Sequence, residues 1–274
     1  MNDIQDEKTT ARADRGEAAS RWFVVPKPVS NPRVRLICLP YAGGAATIFH
    51  HWWRSLPEDV EVMSVQLPRR GTRFREPPYR RMDALVADLS AALLPFLDRP
   101  YMIFGHSMGA IAAFELLYSL PLHLQPLSFF TSGRGAPHLP PVQRQMHHLN
   151  DEELIEELRQ MNGTPEQVLN DPALMAMVLP ALRADFEALE TWKYRPGRKL
   201  GVPITAFGGD SDILVPLDRL SAWAEHTDAA FETRVVPGGH FFLHSCPDRV
   251  LDVIAGQLSR HPPREAAFMQ VGQW

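Results

Sequence analysis

The chain has 274 residues, 45% hydrophobic and 22% charged, a balance that supports a sizeable buried core and excludes a chain disordered throughout. A formal net charge of −4 with no long basic tract argues against a nucleic-acid partner, and no stretch reaches 18 uninterrupted apolar residues. Cys38 and Cys246 are the only cysteines and form neither a CxxC pair nor a disulfide framework.

The first twenty residues mix acids and bases and lack the apolar run of a secretory signal, which predicts a cytoplasmic protein with no membrane association. With the Pro-containing stretch 26–32 they predict a flexible arm over 1–32, followed by one domain over 33–260 and a tail over 261–274. From Arg33 on, short apolar runs alternate with longer amphipathic segments. VRLICL at 34–39, VMSVQL at 62–67, YMIF at 101–104, LSFFT at 127–131, PITAF at 203–207 and TRVV at 233–236 predict buried strands. Cys38, inside the first run, is expected to pack rather than react. Met82, Leu85, Val86, Leu89, Leu93 and Phe96 recur at helical spacing, as do Val250, Leu251, Ile254 and Leu258. That alternation predicts an α/β fold with a mostly parallel sheet flanked by helices.

Residues 147–194 break the alternation, reading as two or three helices with no strand between them. Asn150 is placed to cap a helix opening on Asp151, Glu152 and Glu153, while Pro172 and Pro180 are expected to interrupt later turns. The segment is predicted to be an inserted helical lid, with Met177, Leu182 and Phe186 facing the substrate; a plain packing layer is the alternative. Its Met161 and Met175, with Leu174, Val178 and Leu189, add further apolar surface.

Gly105-His106-Ser107-Met108-Gly109 follows the run YMIF and precedes a helical run, the strand-turn-helix setting of a G-x-S-x-G nucleophile elbow. A serine hydroxyl needs a base, and that motif's chain order places an acid and then a histidine after it. PITAF runs into Gly208-Gly209-Asp210-Ser211-Asp212, and TRVV into Pro237-Gly238-Gly239-His240, so both groups sit past the C-terminal ends of strands, where α/β sheets place their sites. Asp212 is preferred over Asp210 as the acid because it lies deeper in its loop; Asp185 and Asp218 are more remote. His240 is preferred over His106, which flanks the nucleophile, and over His244. The oxyanion of an acyl-transfer intermediate needs two backbone N–H groups. Met108, after the serine, supplies one. Ala42, in Pro40-Tyr41-Ala42-Gly43-Gly44, is the choice for the other, since the two glycines permit close backbone approach. The spacing G-x-G-x-x-G of a dinucleotide loop is absent, and no cluster of metal ligands or cofactor motif is evident.

Together LPYAGGAA at 39–46, QLPRRGTRFRE at 66–76, GHSMGA at 105–110, GGDSD at 208–212 and PGGHFFL at 237–243 resemble the type II thioesterases of polyketide and nonribosomal peptide synthesis, members of the α/β-hydrolase superfamily. The likeness runs from about Arg33 to Leu258. It implies the α/β-hydrolase fold, with Ser107, Asp212 and His240 as a triad, Ala42 and Met108 as the oxyanion hole, and the lid at the insertion. It further implies release of acyl groups from the phosphopantetheine arm of an acyl- or peptidyl-carrier protein, with no cofactor. An oxoester hydrolase or acyltransferase of the same fold is the rival reading, and a binding protein with a decayed site a remoter one. The family pattern usually reads Pro-Gly-Arg where this chain has Pro68-Arg69-Arg70, which puts a glycine-type backbone there in question. Arginines 69, 70, 73, 75, 80 and 81 are a candidate surface for an acidic carrier protein.

Overall fold

The computed structural model describes residues 21–142 and 144–262. Seven strands form one sheet: β1 (Phe23–Val24), β2 (Val34–Leu39), β3 (Val60–Val65), β4 (Tyr101–His106), β5 (Ser128–Ser132), β6 (Ile204–Gly209) and β7 (Phe231–Val236). Their order is β1-β3-β2-β4-β5-β6-β7; β1 is antiparallel to β3 and every other pairing is parallel.

Because side chains alternate across a strand, each central strand feeds two cores. Ile37, Leu39, Met63, Val65, Tyr101, Ile103 and Phe129 face helices α1 (Met82–Leu93) and α2 (Met108–Ser119). Leu36, Cys38, Val62, Met102, Phe104 and Phe130 face the other way, onto Phe49, Trp52 and the C-terminal helix Pro247–Leu258. Burial on both faces is why these strands read as apolar runs rather than alternating ones. Cys38 sits in the second core, where burial pushes its thiol well above the usual range.

The sheet begins earlier than the sequence suggests. Phe23 and Val24 pair with Val65 and Ser64, Trp22 and Phe23 are buried, and the Trp22 carbonyl accepts from Gln66 N at 2.8 Å. A two-residue strand has too little periodicity to be seen in sequence, so the last part of the expected arm is in fact an edge of the fold. The rest of that arm and nearly all of the expected tail lie outside the described residues.

The insertion folds as three helices, α3 (Asp151–Met161), α4 (Glu166–Leu169) and α5 (Pro172–Glu190). Asn150 closes a capping box with Glu153, each side chain holding the other's backbone N–H. Pro172 opens α5 at its first turn, where a missing N–H costs nothing, behind an Asp171 cap. Pro180, expected to interrupt a helix, lies inside α5 without ending it. The turns after it are buried through Ala181, Leu182, Ala184, Asp185 and Phe186, and that packing outweighs the lost backbone bond. Met146, Leu154, Leu158, Met175, Leu179, Leu182 and Phe186 form the insertion's own core. The chain then returns to the sheet, with the short helices α6 (Asp218–Ser221) and α7 (Phe242–Ser245) and finally α8 (Pro247–Leu258).

Candidate active site

The C-terminal ends of β4, β6 and β7 bring the predicted residues to one edge of the sheet. Ser107 stands between β4 and α2 with φ 52° and ψ −111°, a strained conformation for a residue with a Cβ. The two glycines of the elbow have separate reasons. A Cβ on Gly105 would lie 2.2 Å from the Gly109 carbonyl oxygen, and one on Gly109 would lie 2.3 Å from that of Leu39. Strand, helix and neighbouring strand therefore meet at backbone distance. The turn is pinned by a 2.8 Å bond from Ser107 N to the Ser132 carbonyl on β5.

His240 Nδ1 lies 2.9 Å from Asp212 Oδ2, and both groups are buried. Asp212 Oδ1 accepts from the backbone of Leu214 at 2.8 Å and Val215 at 3.1 Å, so the carboxylate is held on both oxygens. Asp210, the rival acid, is exposed and accepts from Gly238 N at 2.9 Å and Ser211 Oγ at 2.8 Å. The bond from the Gly238 backbone, then that from Ser211, holds its carboxyl below the usual range. Asp210 ties down the loop that carries His240 rather than touching the imidazole. Ser107 and His240 both line two adjoining cavities; the bond between them is not formed in this structure, and such contacts tighten when substrate is bound.

The two rival histidines occupy other roles. His106 is buried, with Nδ1 2.8 Å from Ser132 Oγ, and its ring packs 5.2 Å from that of His240. Burial foremost, then repulsion from His240 and His244, lowers its pKa well below normal and keeps it neutral. His244 Nε2 meets the Tyr41 hydroxyl at 2.8 Å.

In the loop after β2, Gly43 N donates to Asp185 Oδ2 at 2.7 Å and Gly44 N to the Tyr41 carbonyl at 2.9 Å. Ala42, whose N–H has no such partner among the described residues, lines the smaller cavity beside Ser107. Met108 is the first residue of α2, where N–H groups lack intrahelical acceptors. Leu182 and Phe186 also line the smaller cavity, along with Met161, Val178 and Leu158. Met177 does not: it is 50% exposed on the outer side of α5, because Met175, Leu179, Leu182 and Phe186 define the inward stripe two residues out of phase with it.

Sequence reasoning missed one tie altogether. Asp185 is buried on α5 and forms an ion pair with buried Arg70 while also holding Gly43 N. No local spacing could reveal a contact between positions 115 residues apart. Burial lowers the Arg70 pKa to about 10. Arg73 is likewise buried, bonded to the Gln66 carbonyl at 2.9 Å and to Glu76 at 2.7 Å, and stacked 4.0 Å from the Trp22 ring centroid. Arg70 and Arg73 are therefore internal and cannot form part of a surface for a carrier protein. Arg69 adopts φ 64°, so the glycine-type backbone persists with an arginine in it.

Comparison with known proteins fits this geometry. A thioesterase domain family model matches residues 34–258. The chain is 40% identical to linear gramicidin dehydrogenase LgrE of Brevibacillus parabrevis, over 88% of this chain and 94% of that one. It is also 40% identical to thioesterase PikA5 of Streptomyces venezuelae, over 81% and 80%. The structure of the type II thioesterase BorB from the borrelidin biosynthetic cluster superposes with a TM-score of 0.80 at 41% identity, covering 86% of this chain and 97% of BorB. The protein therefore belongs to the thioesterase family and is a hydrolase of the α/β-hydrolase fold.

Proposed function

We propose that the protein hydrolyses acyl thioesters from the phosphopantetheine arm of acyl- or peptidyl-carrier proteins, as an editing enzyme of polyketide or nonribosomal peptide synthesis. The observation that carries this reading is the buried His240–Asp212 pair, whose His240 lies on the same cavity walls as the strained Ser107. Ser107 attacks the thioester carbonyl and His240 takes its proton; Asp212 fixes the imidazole tautomer and stabilises the imidazolium. The N–H groups of Ala42 and Met108 receive the oxyanion. The thiol leaves with the proton from His240, and a water activated by the same histidine then cleaves the acyl-serine to the free acid. Leu182 and Phe186 form the wall against which the acyl chain lies.

The test presents one acyl group on a carrier protein, on a pantetheine thiol and on an alcohol. The expected order of kcat/KM is carrier thioester, then small thioester, then oxoester, with an acyl adduct on Ser107 seen by mass spectrometry. A higher kcat/KM for the oxoester, or an adduct elsewhere, would overturn the reading.

A further inference from the structure

The two cavities that share Ser107 and His240 differ in chemistry. The smaller, about 210 Å³, is walled mainly by Leu158, Met161, Val168, Val178 and Leu182. The larger, about 310 Å³, carries Arg134, Arg144, Lys193 and Arg219 against a single acid, Glu190. Most of these charges are engaged. Glu190 pairs with His147, Arg144 with Glu157 at 2.9 Å, and Arg219 reaches the Pro140 carbonyl. Two are not: among the described residues neither Lys193 nor Arg134 has an ion pair or a side-chain hydrogen bond, and of the two Lys193 is exposed whereas Arg134 is half-buried.

The position of Arg134 is fixed by its backbone. Its carbonyl accepts from the fully buried Trp223 indole at 2.8 Å, and it lies two residues after Ser132, whose carbonyl holds Ser107 N. The cation is thus rooted beside the nucleophile. Burial, with repulsion from Arg219 second, lowers its pKa to about 10, which still leaves it charged at neutral pH. A guanidinium that lines a cavity, partly screened from bulk water and with no counter-charge, is placed to bind an anion entering that cavity.

We propose that Arg134, backed by Arg219, is an anion anchor in the larger cavity for a negatively charged group of the substrate. This rests on the thioesterase reading of the site. Two parts of a thioester substrate can supply the anion: the phosphate of the phosphopantetheine arm, or the free carboxylate of a carboxyacyl group such as malonyl. The planar fork of an arginine suits either.

The experiment compares acetyl-pantetheine with acetyl-phosphopantetheine, and acetyl-pantetheine with malonyl-pantetheine, in wild-type protein, Arg134→Gln and Arg134→Lys, with thermal melts to confirm folding. The ratio of kcat/KM for the charged over the neutral substrate should fall tenfold or more in Arg134→Gln, the scale of a charge-assisted hydrogen bond, and less in Arg134→Lys. A fall confined to the phosphorylated pair assigns the anchor to the arm; one confined to malonyl assigns it to the acyl group. Ratios unchanged in both pairs overturn the anchor, and so does an equal loss on charged and neutral substrates. Should Arg134→Gln fail to fold, Arg134→Met, which keeps the bulk of the side chain without its charge, carries the same judgement, with unchanged ratios again decisive. Calorimetric binding of phosphopantetheine and pantetheine, and of malonyl- and acetyl-pantetheine, to the Ser107→Ala protein judges the anchor without turnover. Equal affinities within both pairs overturn it, whereas failure of the wild-type protein to hydrolyse any thioester overturns the thioesterase reading instead.

Discussion

The floor of the site and its helical roof are built by different means. In the floor, backbone touches backbone: Gly105 on Gly109, Gly109 on Leu39, and Gly209 on Gly238, each with no room for a Cβ. Asp212, Asp210 and Ser132 then bond main-chain N–H groups of the loops they face. The roof instead packs side chain on side chain, through the apolar stripe of α5 and its own small core. It joins the floor through a few contacts, chiefly Asp185 on Gly43 and Arg70 and Leu182 against Gly43. Geometry set by backbone leaves little latitude for substitution. Packing between side chains tolerates it, losing stability by degrees.

The largest effect expected is on the floor. Ser107→Ala or His240→Ala should each lower turnover by roughly 10⁴ to 10⁶ fold with the thermal transition retained, since the members of the proposed triad would act as a unit. A single-turnover assay beside calorimetry checks both halves. Near-wild-type turnover of Ser107→Ala would end the nucleophile assignment.

Cutting the tie between the regions should cost stability instead. Asp185→Ala leaves Arg70 charged and buried, and the breaking of such a pair costs about 3 to 5 kcal/mol. Urea unfolding of Asp185→Ala beside the double variant Asp185→Ala/Arg70→Met should show part of the loss restored. No recovery would mean that the bond to Gly43, not the ion pair, holds the two regions together.

Within the roof, Phe186 and Met177 form a matched pair. Phe186→Ala should destabilise by roughly 3 kcal/mol and shift the preferred acyl chain toward greater length, because it enlarges both cavities. Met177→Ala should stay within about 0.5 kcal/mol and leave the chain-length profile alone. An unchanged profile in Phe186→Ala would remove that residue from the acyl wall.

The floor should also respond to acid. His106 is held well below its usual pKa, and His226, bonded to His138 at 2.7 Å, is lowered to about 4, burial being the first cause in both. Each is neutral in the folded state and protonated more readily when unfolded, so the unfolded state binds more protons below pH 6.5. Stability should therefore fall as pH drops from about 6.5 toward 4, and His226→Gln should flatten that slope. A slope identical in wild type and variant would place the acid sensitivity elsewhere. The smallest effect belongs to Arg69, whose left-handed backbone a glycine adopts without strain. Arg69→Gly should gain about 1 kcal/mol or less, since it also loses the stacking of Arg69 on Phe74, and a fall in the melting temperature would contradict this.

The same division explains what was legible in the sequence. The elbow and the two loops of the proposed triad are local: strand, turn residues and chemistry lie within a few positions, so Ser107, Asp212 and His240 can be proposed from sequence, and the structure brings His240 and Asp212 into contact. Buried strands were visible where they were purely apolar and blurred where they were not. β3 starts at Val60, two residues before the predicted run, because Glu61 breaks the apolar pattern; it is buried nonetheless by its 2.9 Å pair with Arg35. β7 starts early for a related reason, Glu232 being engaged by Thr205 and Gln257 from β6 and the last helix, and it is not the buried strand expected: at the sheet edge it leaves Thr233, Arg234 and Val235 exposed. In the roof, apolar content was readable but facing was not. Before Pro180 α5 carries apolar residues on both faces, Leu174 and Met177 exposed beside buried Met175 and Leu179, so apolar content alone could not separate Met177 from Leu182.

The anchoring of α5 sets where the roof can breathe. Lifting the helix at Asp185 would part a buried ion pair and release Gly43, at about 3 to 5 kcal/mol, so only about one molecule in 10² to 10⁴ would be open there at any moment. The other end is held differently, by Arg183 of α5 on Asp151 and the Leu149 carbonyl and by the packing of Leu154 and Leu158. α3 ends at Asn162 in the left-handed conformation, followed by Gly163 pressed on the Phe241 ring next to His240, and it is joined to α5 by the short α4. The wall of the cavity nearest the loop after β2 is therefore its fixed edge, and Gly43 is freed only when that ion pair parts.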